Sequence, residues 1–480
     1  MRNRARAQWG IVVSLGLLLT AAALLVGLQS ANAKPSSKEP GNRHGRLSKA
    51  DWVSHRVAVD TARAKLRRAD RHRSHHRHGA GAPVPVPPSA PTPVPPTADP
   101  PTADPPTADP PTPVPPTAPA GPSSCATGSR KASSAGAVTS AVAAAESVCV
   151  TAAVGDLDFA DLGDRTGTVI STEGGSIGAV EINGTTGLTL RSARLRSVTI
   201  RSSDRTTIEG STIGGTPTNR VEDQLIFMPD ESTDVIIRDN DIGWTKADNS
   251  GNTGYGCRCY GKTDGLQFVG NIVHDIAADG FQGTNGANVL IDRNKIGPVG
   301  ANPGSSEHSD NIQIVGNGPN LRITNNWIYE QGYFDGNVTG NSGSTYIHGG
   351  SSNSLLYENN LIQIARGRTE ICGLGTGGTS RSNITLRRNT WVEGGQTFSG
   401  FPGFEWDCDS GSGNTVEGNI SIDPDGGFAQ DGSSAAATFS NNLWGQPSLV
   451  TLDAQGNCTS ANCNPAGQVI GYRKPSGVSW

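Results

Sequence analysis

From about residue 206 to residue 442 the chain repeats one phrase: apolar, any residue, apolar, two more residues, then asparagine and another apolar residue. It occurs as Val235-Ile236-Ile237 before Asn240, Leu266-Gln267-Phe268 before Asn271, and Val289-Leu290-Ile291 before Asn294. Leu321-Arg322-Ile323 then leads to Asn326, Leu355-Leu356-Tyr357 to Asn360, and Ile384-Thr385-Leu386 to Asn389. Weaker copies end at Asn419 and Asn442, and Ile208 to Ser211 is an earlier copy with serine in the asparagine slot. Alternation of this kind puts every second side chain on one face of a strand. Successive asparagines lie 23 to 34 residues apart, the length of one solenoid coil with loops of variable size.

Stacked coils are spaced by about 4.8 Å, so asparagines in register would hydrogen-bond along the stack and satisfy amides otherwise buried unpaired. The pattern predicts an all-β chain, a right-handed single-stranded parallel β-helix solenoid over residues 123–480. Its Ala-rich stretch Ser134 to Ser147 is expected to form a short N-terminal capping helix, since a solenoid needs its first coil covered. A β-propeller would need blades of about 40 residues and a WD- or kelch-type signature, and neither is present.

This phrase resembles the right-handed parallel β-helix, or pectate-lyase-like, superfamily, over roughly residues 123–480. The resemblance implies the fold, and leaves activity open: members include polysaccharide lyases, glycoside hydrolases, uronate epimerases and non-catalytic surface proteins. The Arg-x-Pro-x-x-Arg pattern of classical pectate lyases is missing, and no catalytic arginine can be assigned from it. Thr263-Asp264-Gly265 is faintly similar to the N-T-D motif of polygalacturonase-type hydrolases, but Lys262 stands where the asparagine belongs, and no Asp-Asp or Gly-His-Gly motif follows.

A second column precedes the asparagines: Asp223-Gln224-Leu225, Asp279-Gly280-Phe281-Gln282, Asp310-Asn311-Ile312-Gln313 and Thr345-Tyr346-Ile347-His348. Alternation places Phe281, Ile312 and Ile347 inward and Gln282, Gln313 and His348 outward in one row, with Asn311 and Tyr346 beside them. The domain holds three of the nine histidines, His274, His308 and His348. An imidazole titrates near neutral pH, so His308 and His348, with Asp279 and Asp310, are the expected acid/base residues of a glycan groove. Gln282, Glu307, Asn311, Gln313, Tyr346 and Arg366 are its expected substrate contacts. Asp279 and Asp310, one coil apart, could raise one another's pKa or hold Ca²⁺. The competing reading is ordinary turn chemistry, with aspartates forming an inter-coil ladder. Lys262, Arg366, Arg368 and Glu370 read better as solvated loops than as a uronate clamp. Tyr333, Trp327 and Trp391 could stack sugars, although both tryptophans belong to the repeat.

The segments ahead of the repeat set the compartment. Residues 1–33 carry Arg2, Arg4 and Arg6, an apolar run from Ile11 to Leu28 and the small-residue site Ala31-Asn32-Ala33. This is the order of a secretory signal peptide, or of an uncleaved N-terminal anchor. Residues 34–81 form a basic arm, with eleven Lys/Arg and six histidines between Arg43 and His78. The arm is expected to be partly helical and suited to an anionic cell-envelope polymer. Residues 82–122 repeat Thr-Ala-Asp-Pro-Pro and read as a disordered polyproline-type spacer.

Of the 39 Lys/Arg, 16 precede residue 123, and of the 43 Asp/Glu, seven do, so the domain holds 23 against 36, about −13. That balance argues against nucleic acid, because phosphate binding needs positive charge. Eight cysteines fit disulfides in an exported chain. Proximity suggests Cys125–Cys149, Cys372–Cys408 and Cys458–Cys463, with Cys257-Arg258-Cys259 left over. Together these features predict a secreted or cell-surface protein, monomeric, acting on a polysaccharide, with lyase or epimerase chemistry favoured over hydrolysis. The alternative is a non-catalytic glycan-binding or adhesive solenoid.

Overall fold

A computed structural model describes residues 125–215, 224–244, 254–283, 285–299, 309–316, 318–329, 344–348, 354–364, 369–373, 381–393, 404–408, 410–422, 428–430 and 436–444. Of the last segment it describes 451, 453, 455–463 and 469–478. The leader, the basic arm and the spacer lie outside the described residues. So do Asp223, Glu307, His308, Tyr333, Arg366, Arg368 and the side chain of His348.

A strand at Arg130–Ala132 is followed by the helix at Ala135–Ala143, shorter than the Ala-rich stretch suggested. Ser134 sits in extended geometry as its N-cap, with the hydroxyl accepting from the Ala137 amide at 3.4 Å. Val138, Ala141 and Val142 are its buried residues. They belong to the main core cluster, so the helix covers the first coil with its apolar side.

After it the chain winds through short strands, and every pairing between them is parallel. Each turn of the coil visits three faces. The first face is a 13-stranded sheet running from Arg130–Ala132 to Thr438–Ser440. The second follows the asparagine corner and includes Ile272–His274, Lys295–Ile296 and Trp327–Tyr329. The third includes Tyr255–Cys259, Phe281–Gly283, Ile312–Ile314 and Thr345–His348. Near the N-terminal end the long strands Ser176–Thr186 and Arg194–Arg201 run through both the second and third faces and join them. This is a parallel β-helix, with the right-handed sense that crossovers between parallel strands take.

The core is built from columns. On the first face Ile208, Ile237, Phe268, Ile291, Ile323, Tyr357, Leu386 and Val416 stand in register, and all are fully buried. Each contributes about 1.5–3 kcal/mol by leaving water. The first apolar residue of each phrase (Val235, Leu266, Val289, Leu321, Leu355, Ile384) is buried as well.

The corner between the first and second faces explains the two spacer residues and the asparagine. The residue just before each ladder position has positive φ: Asp239, Gly270, Arg293, Asn325, Asn359, Arg388, Gly418 and Asn441. That conformation turns the chain, and the next side chain points into the stack. Each Asn Nδ2 donates to the Oδ1 of the asparagine one coil on, at 2.9–3.0 Å, from Asn240 through to Asn442. The same Nδ2 donates to a carbonyl of the preceding coil, and each Oδ1 also accepts the backbone amide of the previous asparagine. Both donors and both lone pairs are used. The Ser211 amide donates to Asn240 Oδ1 at 2.9 Å, and the Ser211 hydroxyl accepts the Ala193 amide at 3.1 Å, so serine extends the ladder upstream.

Candidate functional site

On the third face the outward positions form one column, one residue per coil. It runs Asp158, Glu181, Thr199, Phe227, Arg258, Gln282, Gln313, Tyr346, Glu370, Glu405 and Ala429. Exposure falls along it: Asp158 is exposed and Glu181 to Arg258 are half-buried, whereas Gln282, Tyr346, Glu370 and Glu405 are 1–6% exposed. From Gln282 to Glu405 these side chains point away from the apolar core and, apart from half-buried Gln313, are nonetheless largely withdrawn from solvent.

The register corrects the sequence expectation at one coil. Gln313 pairs with Tyr346, and His348 falls two residues further on, opposite Gly373 across an irregularity in the ladder. The expected alignment put Ile347 beside Ile312. In the structure Thr345 takes that inward place, and its hydroxyl meets the Tyr357 hydroxyl at 3.0 Å. That partner lets a polar residue replace an isoleucine in the core column. Upstream, Gln224 pairs with Tyr255, and the position in the outward column belongs to Phe227.

Asp279 and Asp310 do lie one coil apart. The Asp310 amide donates to Asp279 Oδ1 at 2.8 Å, and Gln282 Nε2 donates to Asp279 Oδ2 at 2.7 Å. Gln282 Nε2 also makes a short contact with Gln313 Oε1, while its own Oε1 accepts from Arg258 Nε at 3.1 Å. Arg258 is stacked between two rings, 4.4 Å from the Tyr255 centroid and 4.2 Å from that of Tyr260, whose hydroxyl it also bonds at 2.7 Å. A chain of polar contacts thus links Arg258, Gln282, Gln313 and the Asp279 corner. Asn311 is fully buried and donates to the Ile296 carbonyl at 2.9 Å, which ties the third face to the second within one coil.

Comparison with protein-family profiles and with curated proteins finds no match. Among solved structures the chain is similar to the periplasmic alginate epimerase AlgG, at 15% identity and a TM-score of 0.30, covering 62% of this chain and 77% of that one. It is also similar to pectate lyase Pel9A, at 13% identity and a TM-score of 0.25, covering 65% and 79%. Likenesses this distant carry no chemistry across.

Further along the column, residues not foreseen as a group come together. Glu370 and Glu405 are neighbours in the column, and Asp407 joins them, with one carboxylate oxygen from each within 4.8 Å of the others. Among the described residues this group, rather than Asp279 with Asp310, brings three carboxylates within reach of a single ion. The signal was legible in Phe404-Glu405-Trp406-Asp407-Cys408, where apolar and acidic residues alternate as strand faces do. The disulfide Cys372–Cys408 clamps the two coils that carry this group.

The other candidates sort by burial and partner. Lys262 is held by Asp264 at 2.9 Å and Glu231 at 3.2 Å in an open cluster. Trp391 is a core residue, stacked on Phe404 at 5.3 Å. Trp327 is half-buried on the second face and pairs with Tyr329 at 5.2 Å. Lys295 lies over both rings, and its partial burial lowers its pKa. His274, on the same face, bonds Asp241 at 2.8 Å and Asp275 at 2.7 Å, and these bonds hold its pKa above the usual value against the opposing effect of burial. Cys125–Cys149 and Cys458–Cys463 are bridged, while Cys257 and Cys259 are buried free thiols, of which Cys257 is pushed well up by burial.

Proposed function

We propose that this is an exported β-helix protein that binds a polysaccharide along its third face and acts on it there, with lyase or epimerase chemistry favoured over hydrolysis. The observation that carries the reading is the continuous outward column from Arg258 through Gln282, Gln313, Tyr346 and Glu370 to Glu405, with Asp279 and Asp310 at its edge. Side chains that recur every coil, at about 4.8 Å, match a linear ligand lying along the stack. Hydrogen-bonding amides, a tyrosine and an arginine are the groups that orient sugar hydroxyls and a uronate carboxylate. Proton abstraction beside that carboxylate needs one base and neutralisation of the anion. His308 or His348 is our choice for the base, with Glu307 and Arg366 as substrate contacts, and Arg258 supplies positive charge within the column. The oxygen donors of Asp279 and Asp310 suit a hard cation, and Ca²⁺ bound there would neutralise the substrate carboxylate.

A second reading, a glycan-binding solenoid without chemistry, draws on the same contacts. Asp279, Gln282 and Gln313 satisfy one another, as a structural polar row would. Product analysis separates the two. The purified chain would be incubated with polyuronates and neutral polysaccharides, with and without Ca²⁺, beside a His308→Ala variant. Unsaturated products, or inverted C5 configuration in the polymer by proton NMR, that vanish in the variant would support the enzyme. Reducing ends without unsaturation would point to hydrolysis instead. Glycan retention without any product would leave the binding module.

A further inference from the structure

A second cleft lies away from the third face. The C-terminal segment crosses the corner between the first and second faces. There the Arg473 amide donates to Asn359 Oδ1 at 2.7 Å, Asn359 Nδ2 returns a bond to the Arg473 carbonyl at 2.8 Å, and the Gly471 amide donates to the Gly418 carbonyl at 2.7 Å. Between this segment and the outward side of the first face is a cavity of about 370 Å³, lined by Leu290, Asp292, Arg322, Glu358, Arg388 and Arg473 among others. That volume is at the small end of ligand sites, roughly 300–1,000 Å³.

Arginines outnumber acids around this cleft, in a domain that is acidic as a whole. Both lining acids are already occupied. Asp292 takes Arg293 Nε at 2.7 Å on one oxygen, with Thr324 at 2.7 Å and Asn325 at 2.8 Å on the other. Glu358 takes Arg387 at 3.0 Å and makes a short ion pair with Arg388. Arg322 is exposed and has no ion pair among the described residues, and it stands in register between Leu290 and Leu356 on the outward side of the sheet. The Arg473 guanidinium donates to the Tyr472 carbonyl at 3.2 Å, with Asp453 as a more distant acid. Glu417, next to Arg387 in register, is a further acid on this side.

The backbone adds an independent observation. Arg293 and Arg388 occupy positive-φ corner positions, at 53° and 56°, where neighbouring coils place Gly270 and Gly418. An L-residue other than glycine or asparagine is strained there, by about 1–2 kcal/mol. Arg388 lines the cleft and Arg293 holds the lining Asp292, so both strained corners fix the ion pairs that leave Arg322 and Arg473 as the cleft's unpaired cations among the described residues.

We infer that this cleft is a second saccharide site, taking a carboxylate-bearing sugar residue whose anion is received by Arg322 and Arg473 and whose ring lies against Leu290 and Val469. Arg presents a planar fork that fits a carboxylate bidentately, and an apolar strip beside it suits the less polar face of a sugar ring. The inference rests on the proposed function only for its choice of an acidic glycan, because the site lies on a different face and needs no catalysis. It would give the protein a second grip on the polymer, which raises apparent affinity when both sites engage one chain.

The test is calorimetric titration of the whole chain with trigalacturonate, maltotriose and inorganic phosphate, for the wild type, Arg322→Ala, Arg322→Lys and the third-face pair Gln282→Ala, Gln313→Ala. The expected result is trigalacturonate binding that weakens at least tenfold in Arg322→Ala, weakens less in Arg322→Lys, and persists in the third-face variant. Unchanged circular dichroism and melting temperature would show that Arg322→Ala is folded. Failure of the wild type to bind trigalacturonate, equal binding of maltotriose or phosphate, or loss in the third-face variant alone would each overturn the inference. Arg322-dependent binding without turnover of any polysaccharide would uphold it while removing the catalytic reading of the third face.

Discussion

Asn294 accepts the Asn271 backbone amide at 2.9 Å and the Asn271 side-chain amide at 3.0 Å, and donates to the Phe268 carbonyl at 2.8 Å and to Asn326 at 3.0 Å. Replacing it with alanine strands several fully buried groups at once, each worth about 1–3 kcal/mol. We expect Asn294→Ala to lower unfolding stability by about 3 kcal/mol or more, measured as the shift of the urea midpoint at constant slope. His274 gives a second prediction at this scale. Its folded pKa is raised above the usual 6.5 by Asp241 and Asp275. The charged ring therefore contributes stability in full below about pH 6.5, and that contribution fades as pH rises through the higher folded value. Subtracting melting temperatures of His274→Gln from those of the wild type should leave a difference that is largest at pH 5.5 and shrinks by pH 8.5. A flat difference would contradict this assignment of the ring. The ladder residues were legible in the sequence because each repeats one phrase at one coil's spacing. Arg258, Glu405 and Asp407 take their meaning from a row across coils: the alternation around Glu405 and Asp407 marks a strand face but not the residues it meets on the next coil.

At the scale of elements, strand register decided which expectations survived. The phrases ending at Asn240 to Asn442 fall in register, and so do Phe281 with Ile312 and Gln282 with Gln313. The copy at Thr345-Tyr346-Ile347-His348 was misaligned by two residues, since an inward threonine with a tyrosine partner looks polar in sequence and apolar positions alone set the reading. His308, Glu307 and Arg366 fall outside the described residues. The Cys372–Cys408 bridge joins adjacent coils across 36 residues, beside Glu370, Glu405 and Asp407. Closing a loop of that length should stabilise the fold by about 3–4 kcal/mol. The Cys372→Ala, Cys408→Ala variant should accordingly unfold at a lower urea midpoint. If the bridge also sets the carboxylate group, the variant should lose turnover under conditions where it remains fully folded.

For the molecule as a whole, one scaffold carries two chemically different faces. The third face presents a row of amides, a tyrosine and carboxylates, and the first face with the C-terminal segment presents an arginine-lined cleft. Among the described residues no helix is long and apolar enough to cross a membrane. The central claim is that the third face works on a polysaccharide. It is tested most directly by measuring turnover of a panel of polyuronates by the wild type and by an Arg258→Ala, Gln313→Ala variant. Arg191→Ala on the first face serves as the control, because it removes an ion pair with Glu209 far from the row. The account predicts turnover that falls at least a hundredfold in the third-face variant and is unchanged in the control, with both proteins folded. Equal turnover in all three proteins would contradict it.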